Sequence, residues 1–206
     1  MRMAGIRIIG LTGGIATGKS SVGGFLQQKG AMVIDADQLS REAAKPGSNG
    51  LDRICEAFGA EILMADGTLN RTQLREMVFA DSAKRCKLEA ILHPEIKRLA
   101  EEHIAAAAAE GRRIVFYVAP LLIEAGATDR VDEVWVVTVR PEIQISRLMV
   151  RDGISRDQAQ QIISSQMSLA DKERCGRIVI DNSGTPEETE SILNELWIRE
   201  IEDSHD

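Results

Sequence analysis

Aromatic side chains are scarce: Phe, Trp and Tyr together make up 3% of the 206 residues. A stacking platform for single-stranded nucleic acid needs a row of exposed rings, so this composition argues against one. Basic charge is short as well. Lys and Arg number 25 against 32 Asp and Glu, a net charge of −7, which argues against bulk electrostatic binding to nucleic acid or to an anionic membrane. A local basic cluster can still hold a small anion. Cysteines are few, and Cys55, Cys86 and Cys175 are odd in number and far apart. They offer neither metal-ligand spacing nor a framework of bridges, and they read as reduced thiols of a cytoplasmic protein. No apolar run reaches the roughly 18 residues of a membrane helix. The opening Met1–Ile9 carries charge within its apolar stretch and runs into glycines, unlike an export signal. No Gly-x-Ser-x-Gly suggests an acyl-transfer serine.

What remains, 44% hydrophobic and 28% charged residues, is a soluble globular composition, long enough for one domain carrying insertions. Short β-branched runs alternate with amphipathic stretches, the pattern of βαβ units around a parallel sheet. Strands are expected at Arg7–Leu11, Met32–Asp35, Arg113–Val118, Glu133–Val139 and Ile178–Asp181. The fourth is apolar nearly throughout, as a strand buried on both faces should be. Helices are expected from about Lys19 to Lys29, at Leu51–Phe58, Thr72–Phe79, Ala83–Leu92 and Pro94–Glu110, and again between Pro141 and Arg174. Ser155 with Gln158 and Thr185 with Glu188 make capping boxes, the second opening a helix to about Ile201. Gly111 stands where a helix-ending glycine belongs. His93, ahead of Pro94, reads as a turn; His103 is expected to face solvent, and the polar end Glu202–Asp206 to fray.

The strongest chemical signal is Gly13-Gly14-Ile15-Ala16-Thr17-Gly18-Lys19-Ser20, a complete G-x-x-x-x-G-K-[ST] between a strand and a helix. Glycines let the backbone fold back so that successive N–H groups face phosphate oxygens. Lys19 adds charge for the outer phosphates and Ser20 a hydroxyl for Mg²⁺, while the following helix aims its positive end at the same anion. Next comes Asp35-Ala36-Asp37 at the end of the second strand. Residues i and i+2 of an extended chain share a face, so both carboxylates could point into the crevice where open α/β sheets bind ligands. There they could orient a hydroxyl, accept its proton or reach Mg²⁺; the bland alternative is that one of them caps the helix that follows. The third set is Arg140, Arg147, Arg151 and Arg156. Arg147 and Arg151 share a helical face on which Asp152 is not expected to neutralise them. On a mobile flap they could neutralise a transferring phosphate, although a solvated surface explains such spacing equally well. A guanine-reading Asn-Lys-x-Asp is absent, and Asp132-Glu133 precedes its apolar strand rather than ending it. Switches and motors recede, leaving a small kinase.

The chain resembles bacterial dephospho-coenzyme A kinases from near its start to its final helix. The resemblance rests on Ile9-Gly10-Leu11-Thr12-Gly13-Gly14-Ile15, Gly18-Lys19-Ser20, Val33-Ile34-Asp35-Ala36-Asp37, Leu88-Glu89-Ala90-Ile91-Leu92-His93-Pro94, Pro120-Leu121-Leu122-Ile123-Glu124, Gln144 with Arg147, Arg151, Gln166 and Ile180-Asp181-Asn182. It implies an α/β P-loop kinase of three layers with a parallel sheet. The nucleotide core would take about 1–36, 112–140 and 175–206, a helical acceptor insertion about 37–111, and a lid about 141–174. The activity implied is ATP- and Mg²⁺-dependent phosphorylation of the 3′-hydroxyl of dephospho-coenzyme A, with no obligate protein partner. On that mapping Gly14, Ala16, Thr17, Gly18, Lys19, Ser20 and Ser21 hold the ATP phosphates, Asn182 lies near adenine, and Arg147 and Arg151 clamp phosphates from the lid. Asp37 is the base, and Asp35 supports it or, with Ser20, the metal. Arg41, His93, Pro94, Pro120 and Leu121 border the acceptor. Two residues depart from the family pattern. Ala16 replaces a glycine, which requires a negative φ there. Gly176-Arg177 replaces Ala-Asp ahead of the last strand and is expected to bear on adenine-side contacts.

Overall fold

A computed structural model describes residues 5–202. His205 and most of the end expected to fray lie outside the described residues. Five strands, β1 (Arg7–Gly13), β2 (Met32–Asp35), β3 (Ile114–Val118), β4 (Glu133–Thr138) and β5 (Ile178–Asp181), form one sheet in the order β2-β3-β1-β4-β5. β1 pairs in parallel with both β3 and β4, and β4 with β5. The helices are α1 (Lys19–Gln28), α2 (Ala36–Ala43), α3 (Asn49–Phe58), α4 (Arg71–Ala80), α5 (Ser82–Ala109), α6 (Pro141–Asp152), α7 (Arg156–Ser164), α8 (Leu169–Cys175) and α9 (Pro186–Trp197). None of the described helices is long and apolar enough to cross a membrane.

The chain divides into two compact units, 1–33 with 107–206, and 34–106, the division passing through β2 and α5. In the first, Ile9, Leu11, Phe116, Val118, Trp135, Val137 and Ile180 fill the sheet, and Val22, Leu26, Leu193 and Leu196 of α1 and α9 pack on it. Phe116 and Trp135 meet edge to face with ring centroids 5.3 Å apart. Burial of both faces is why β4 reads as an unbroken apolar run. In the second unit Leu51, Ile54 and Phe58 of α3 gather with Ile62, Leu69, Leu74 and Ile91.

Local signals place most boundaries. Both capping boxes form, Ser155 with Gln158 and Thr185 with Glu188. Gly111 has φ +76°, and its N–H and that of Arg112 donate to the carbonyls of Ala108 and Ala107, each at 2.9 Å, closing α5 in a glycine-dependent turn. The expected break at His93-Pro94 is absent. α5 runs through it with Pro94 inside the helix and His93 exposed, so the turn reading of His93 is corrected. Proline removes one backbone bond and crowds the preceding turn. Anchors on either side carry the helix through it, Ile91 packed in the core of the second unit and Glu95 bonded to Asn49 Nδ2 at 2.6 Å.

Arg177 lies at the start of β5, the opposite end from Asn182, and there it joins Glu133 and Glu200. Arg7 Nη1 donates to the Glu200 carbonyl oxygen at 2.6 Å, and Arg7 Nη2 to Glu133 at 2.8 Å. The Arg177 of Gly176-Arg177 therefore braces the rim of the sheet at the start of β5, through Glu133 and Glu200. The Arg177 guanidinium, foremost among its partners, holds the Glu200 carboxyl below the usual glutamate range. A carboxyl with a depressed folded pKa stabilises fully above its unfolded pKa, and that stability is lost as pH falls through the folded value. Glu200→Gln should therefore lower Tm at pH 7, and its gap from the parent should close below about pH 4. A gap that persists at low pH would place the effect in packing rather than charge.

Candidate phosphate-binding site

β1 delivers the chain at Gly13 to the carboxyl edge of the sheet, where α1 begins at Lys19. Side chains at Gly13 and Gly18 have no room: a Cβ on the first would strike the Val137 carbonyl oxygen, and one on the second would strike the Asn182 amide nitrogen. Gly18 also has φ +88°, which favours glycine. The loop closes on itself. Thr17 Oγ1 donates to the Gly14 carbonyl at 2.9 Å, and Lys19 Nζ donates to the carbonyls of Gly13 and Gly14 at 2.9 and 3.0 Å. Asn182 Nδ2 donates to the Thr17 carbonyl at 2.7 Å, while its Oδ1 accepts from Thr189 Oγ1 at 2.8 Å. Asn182 is thus a brace that joins the loop after β5 to the phosphate loop, with both ends of its amide engaged.

Ala16 has φ +58°, so the expectation of a negative φ is corrected. That value sits in the small left-handed region open to L-residues, at a cost of about 1–2 kcal/mol relative to glycine. Its methyl group and Ile15 pack against a small apolar cluster, Ile145 and Leu148 of α6 with Ala159 of α7. Two glutamines hold the same apex. Ile15 N–H donates to Gln166 Oε1 at 2.9 Å, and Gln144 Nε2 donates to the Ile15 carbonyl at 2.8 Å.

Beside the loop lies a cleft of about 340 Å³, lined by Gly18, Ser21, Phe25, Arg147, Asn182 and Pro186 among others. Arg147 is half-buried. Its Nη1 lies 3.9 Å from where a Gly18 Cβ would sit, which leaves a guanidinium at the mouth of an amide-lined turn. Arg151 differs. Asp152 holds it at two points, 2.7 and 2.9 Å, and this hydrogen bonding raises the guanidinium's pKa further. The expectation that Asp152 leaves Arg151 without a counter-charge is corrected: at the last residue of α6 the carboxylate reaches back to its neighbour. Arg156 is likewise paired, with Glu142 at 2.8 and 3.0 Å. Of the basic set, Arg147 is placed at the cleft.

Pro120 and Leu121 follow β3. Thr12 Oγ1 donates to the Pro120 carbonyl at 3.3 Å, and Leu121 is exposed. The residue behind them was not among the sequence candidates. Lys172 of α8 is fully buried, and its Nζ donates to Pro120 O at 3.0 Å and to both Glu124 oxygens at 2.7 and 2.8 Å. Its signal was faint: a lysine three residues after Leu169, on the inward face of a short helix.

In the second unit Asp35 is the N-cap of α2, its Oδ1 accepting from the amides of Asp37 at 2.7 Å and Gln38 at 3.4 Å. The shared extended face expected for Asp35 and Asp37 is corrected, because the chain turns helical at Ala36. Asp37 is exposed in the first turn of α2, with Arg41 one turn further on and exposed too. His93 and Pro94 lie exposed on α5. Glu95 beside them is buried, and the Asn49 hydrogen bond holds its carboxyl below the usual range.

Among the described residues no three His, Cys, Asp or Glu side chains converge into a metal cage. Mg²⁺ suits such a setting, since it binds through one or two protein groups and the phosphates of its nucleotide. The Ser20 hydroxyl, exposed at the start of α1, fits that demand. Asp35 fits it less well, with one oxygen spent on the cap.

A sequence profile of the family described as dephospho-CoA kinase matches residues 7–188. The dephospho-CoA kinase of Geobacter sulfurreducens is 53% identical over 194 residues, which cover 94% of this chain and 98% of that one. A crystal structure from Thermus thermophilus superposes with a TM-score of 0.82 at 31% identity, covering 95% of this chain and 98% of that one. A dephospho-CoA kinase from Campylobacter jejuni superposes at 0.72 with 25% identity, covering 97% and 98%. With a phosphate loop built as this one is, and a likeness that spans almost its whole length, the chain belongs to the dephospho-CoA kinase family.

Proposed function

We propose that this protein transfers the γ-phosphoryl group of ATP to the ribose 3′-hydroxyl of dephospho-coenzyme A, releasing coenzyme A and ADP, the final step of coenzyme A synthesis. The observation that carries the reading is the closed turn from Gly13 to Ser21, tied down by Asn182 and faced by the Arg147 guanidinium. Its amides, Lys19 and Ser21 would grip the phosphates, and the cleft against Phe25 and Pro186 would take the base. The Ser20 hydroxyl would hold Mg²⁺, which would supply charge neutralisation for the phosphates.

The unit 34–106 would bind the acceptor through Arg41, His93 and Pro94, with Pro120 and Leu121 contributing from the loop after β3. The segment 141–174 would act as the lid. Asp37 would take the proton of the 3′-hydroxyl as its oxygen bonds to phosphorus and the bond from phosphorus to the ADP oxygen breaks. Little covalent chemistry is asked of the protein in such a transfer, so positioning and charge dominate. Arg147 would neutralise charge spreading over the transferring group. Arg151 reaches phosphate only by exchanging Asp152 for it.

A coupled assay of ADP release tests this. Release should rise steeply with dephospho-coenzyme A and stay near background with nucleoside monophosphates or with no acceptor. Equal rates with and without dephospho-coenzyme A would overturn it.

A further inference from the structure

The apex of the phosphate loop is held by residues outside it. The main chain of Ile15 is engaged at both polar atoms, its N–H by Gln166 Oε1 at 2.9 Å and its carbonyl by Gln144 Nε2 at 2.8 Å, so the peptide unit on each side of its Cα is held once. Gln144 lies in α6 and is 3% exposed; Gln166 follows α7. Between these two bonds the side chains of Ile15 and Ala16 enter the α6–α7 apolar cluster. Ile15 is the last loop residue before Ala16 takes its left-handed φ of +58°. Whatever fixes the two peptide planes that meet at the Ile15 Cα therefore fixes where that turn begins.

We propose that Gln144 and Gln166 are positioning residues for the phosphoryl donor: together they bracket the main chain at Ile15 and hold the phosphate loop in its binding-competent form before ATP arrives. The inference rests on the nucleotide reading above and deepens it. A glycine-rich loop without such a bracket samples other conformations, and apparent affinity falls in proportion to the competent fraction. Each glutamine works in one direction only. Gln166 must accept and Gln144 must donate, because a backbone N–H cannot accept and a carbonyl cannot donate.

That directionality supplies the test. Gln166→Glu keeps an acceptor opposite the Ile15 N–H, whereas Gln144→Glu sets a carboxylate against the Ile15 carbonyl. Both add one negative charge near the phosphates, so charge alone predicts matching losses. Calorimetric titration with MgATP should show Gln144→Glu at least tenfold weaker than Gln166→Glu. The neutral variants Gln166→Met and Gln144→Met guard against a variant that fails to fold. Each should raise the Kd for MgATP by about fivefold to tenfold, the size of one lost neutral hydrogen bond. kcat at saturating ATP, KM for the acceptor and Tm should stay near the parent. Equal losses in the two Glu variants, an unchanged Kd in the Met variants, or a lowered Tm as the sole effect would overturn the bracket. A parent that fails to bind MgATP would instead overturn the nucleotide reading itself.

Discussion

Asp37→Asn is expected to bind ATP as the parent does and to lose about 10²- to 10⁴-fold in kcat, the range that positioned general bases contribute. The substitution keeps shape and removes the negative charge and with it the capacity to take a proton. Asp37 stands exposed in the first turn of α2, where loss of its charge costs the helix about 0.3–1 kcal/mol. Folding should therefore survive, and the loss should fall on turnover rather than on KM for ATP. Asp35→Asn is the companion. Asparagine caps helices about as well as aspartate, so the hydrogen bonds from the amides of Asp37 and Gln38 can persist. If Asp35 does no more than cap, that variant turns over normally; if it also serves the metal, kcat falls while Tm holds. Unchanged turnover in Asp37→Asn removes it from the role of base.

Glu124→Leu should be the most damaging single change to stability in the loop after β3, at about 3–5 kcal/mol. It strands the Lys172 ammonium, which is fully buried, with the Pro120 carbonyl as the one partner left from the present set at 3.0 Å. Taking an ammonium out of water is offset only while a carboxylate faces it. Lys172→Met should cost less, because Glu124 retains 22% side-chain exposure and can turn toward water. The double variant removes both charges together and should recover much of the loss, a coupling that urea unfolding of the four proteins would measure. Additive losses would mean that the pair is not an energetic unit. Pro120 and Leu121 are carried by this loop, so a partial loss of acceptor affinity should accompany the single variant.

The phosphate loop, all five strands and both capping boxes were legible because each is written within a few adjacent residues. Thr185-Pro186-Glu187-Glu188 needs nothing distant to start a helix, and β4 announces its burial by composition. Other features depend on partners far along the chain or on competition between local forces. Pro94 is a helix breaker by its own chemistry, yet packing at Ile91 and the Glu95–Asn49 bond outweigh it. Asp35 and Asp37 look alike in sequence; only the point at which the strand turns into α2 separates the cap from the exposed carboxylate. Arg151 looked available because an adjacent residue seldom faces its neighbour on a helix, and the helix end at Asp152 escapes that rule. Ala16 shows the limit most plainly. The sequence reports a methyl group where glycine is usual in the family, but neither the sign of φ nor the α6–α7 cluster that receives the methyl can be read from the loop itself. Gln144, Gln166 and Lys172 stood in plain view among many polar residues. Their roles emerge only from the atoms they meet, with 129, 151 and 52 positions separating them from Ile15 and Pro120.

Amide resonances of the loop offer the most direct measurement of the central claim. In a ¹H–¹⁵N titration with MgATP, the backbone signals of Ala16 to Ser21 should shift together and saturate at one dissociation constant, and Lys19→Ala should abolish the saturation. Tight binding of MgATP that leaves those six signals in place would contradict the account.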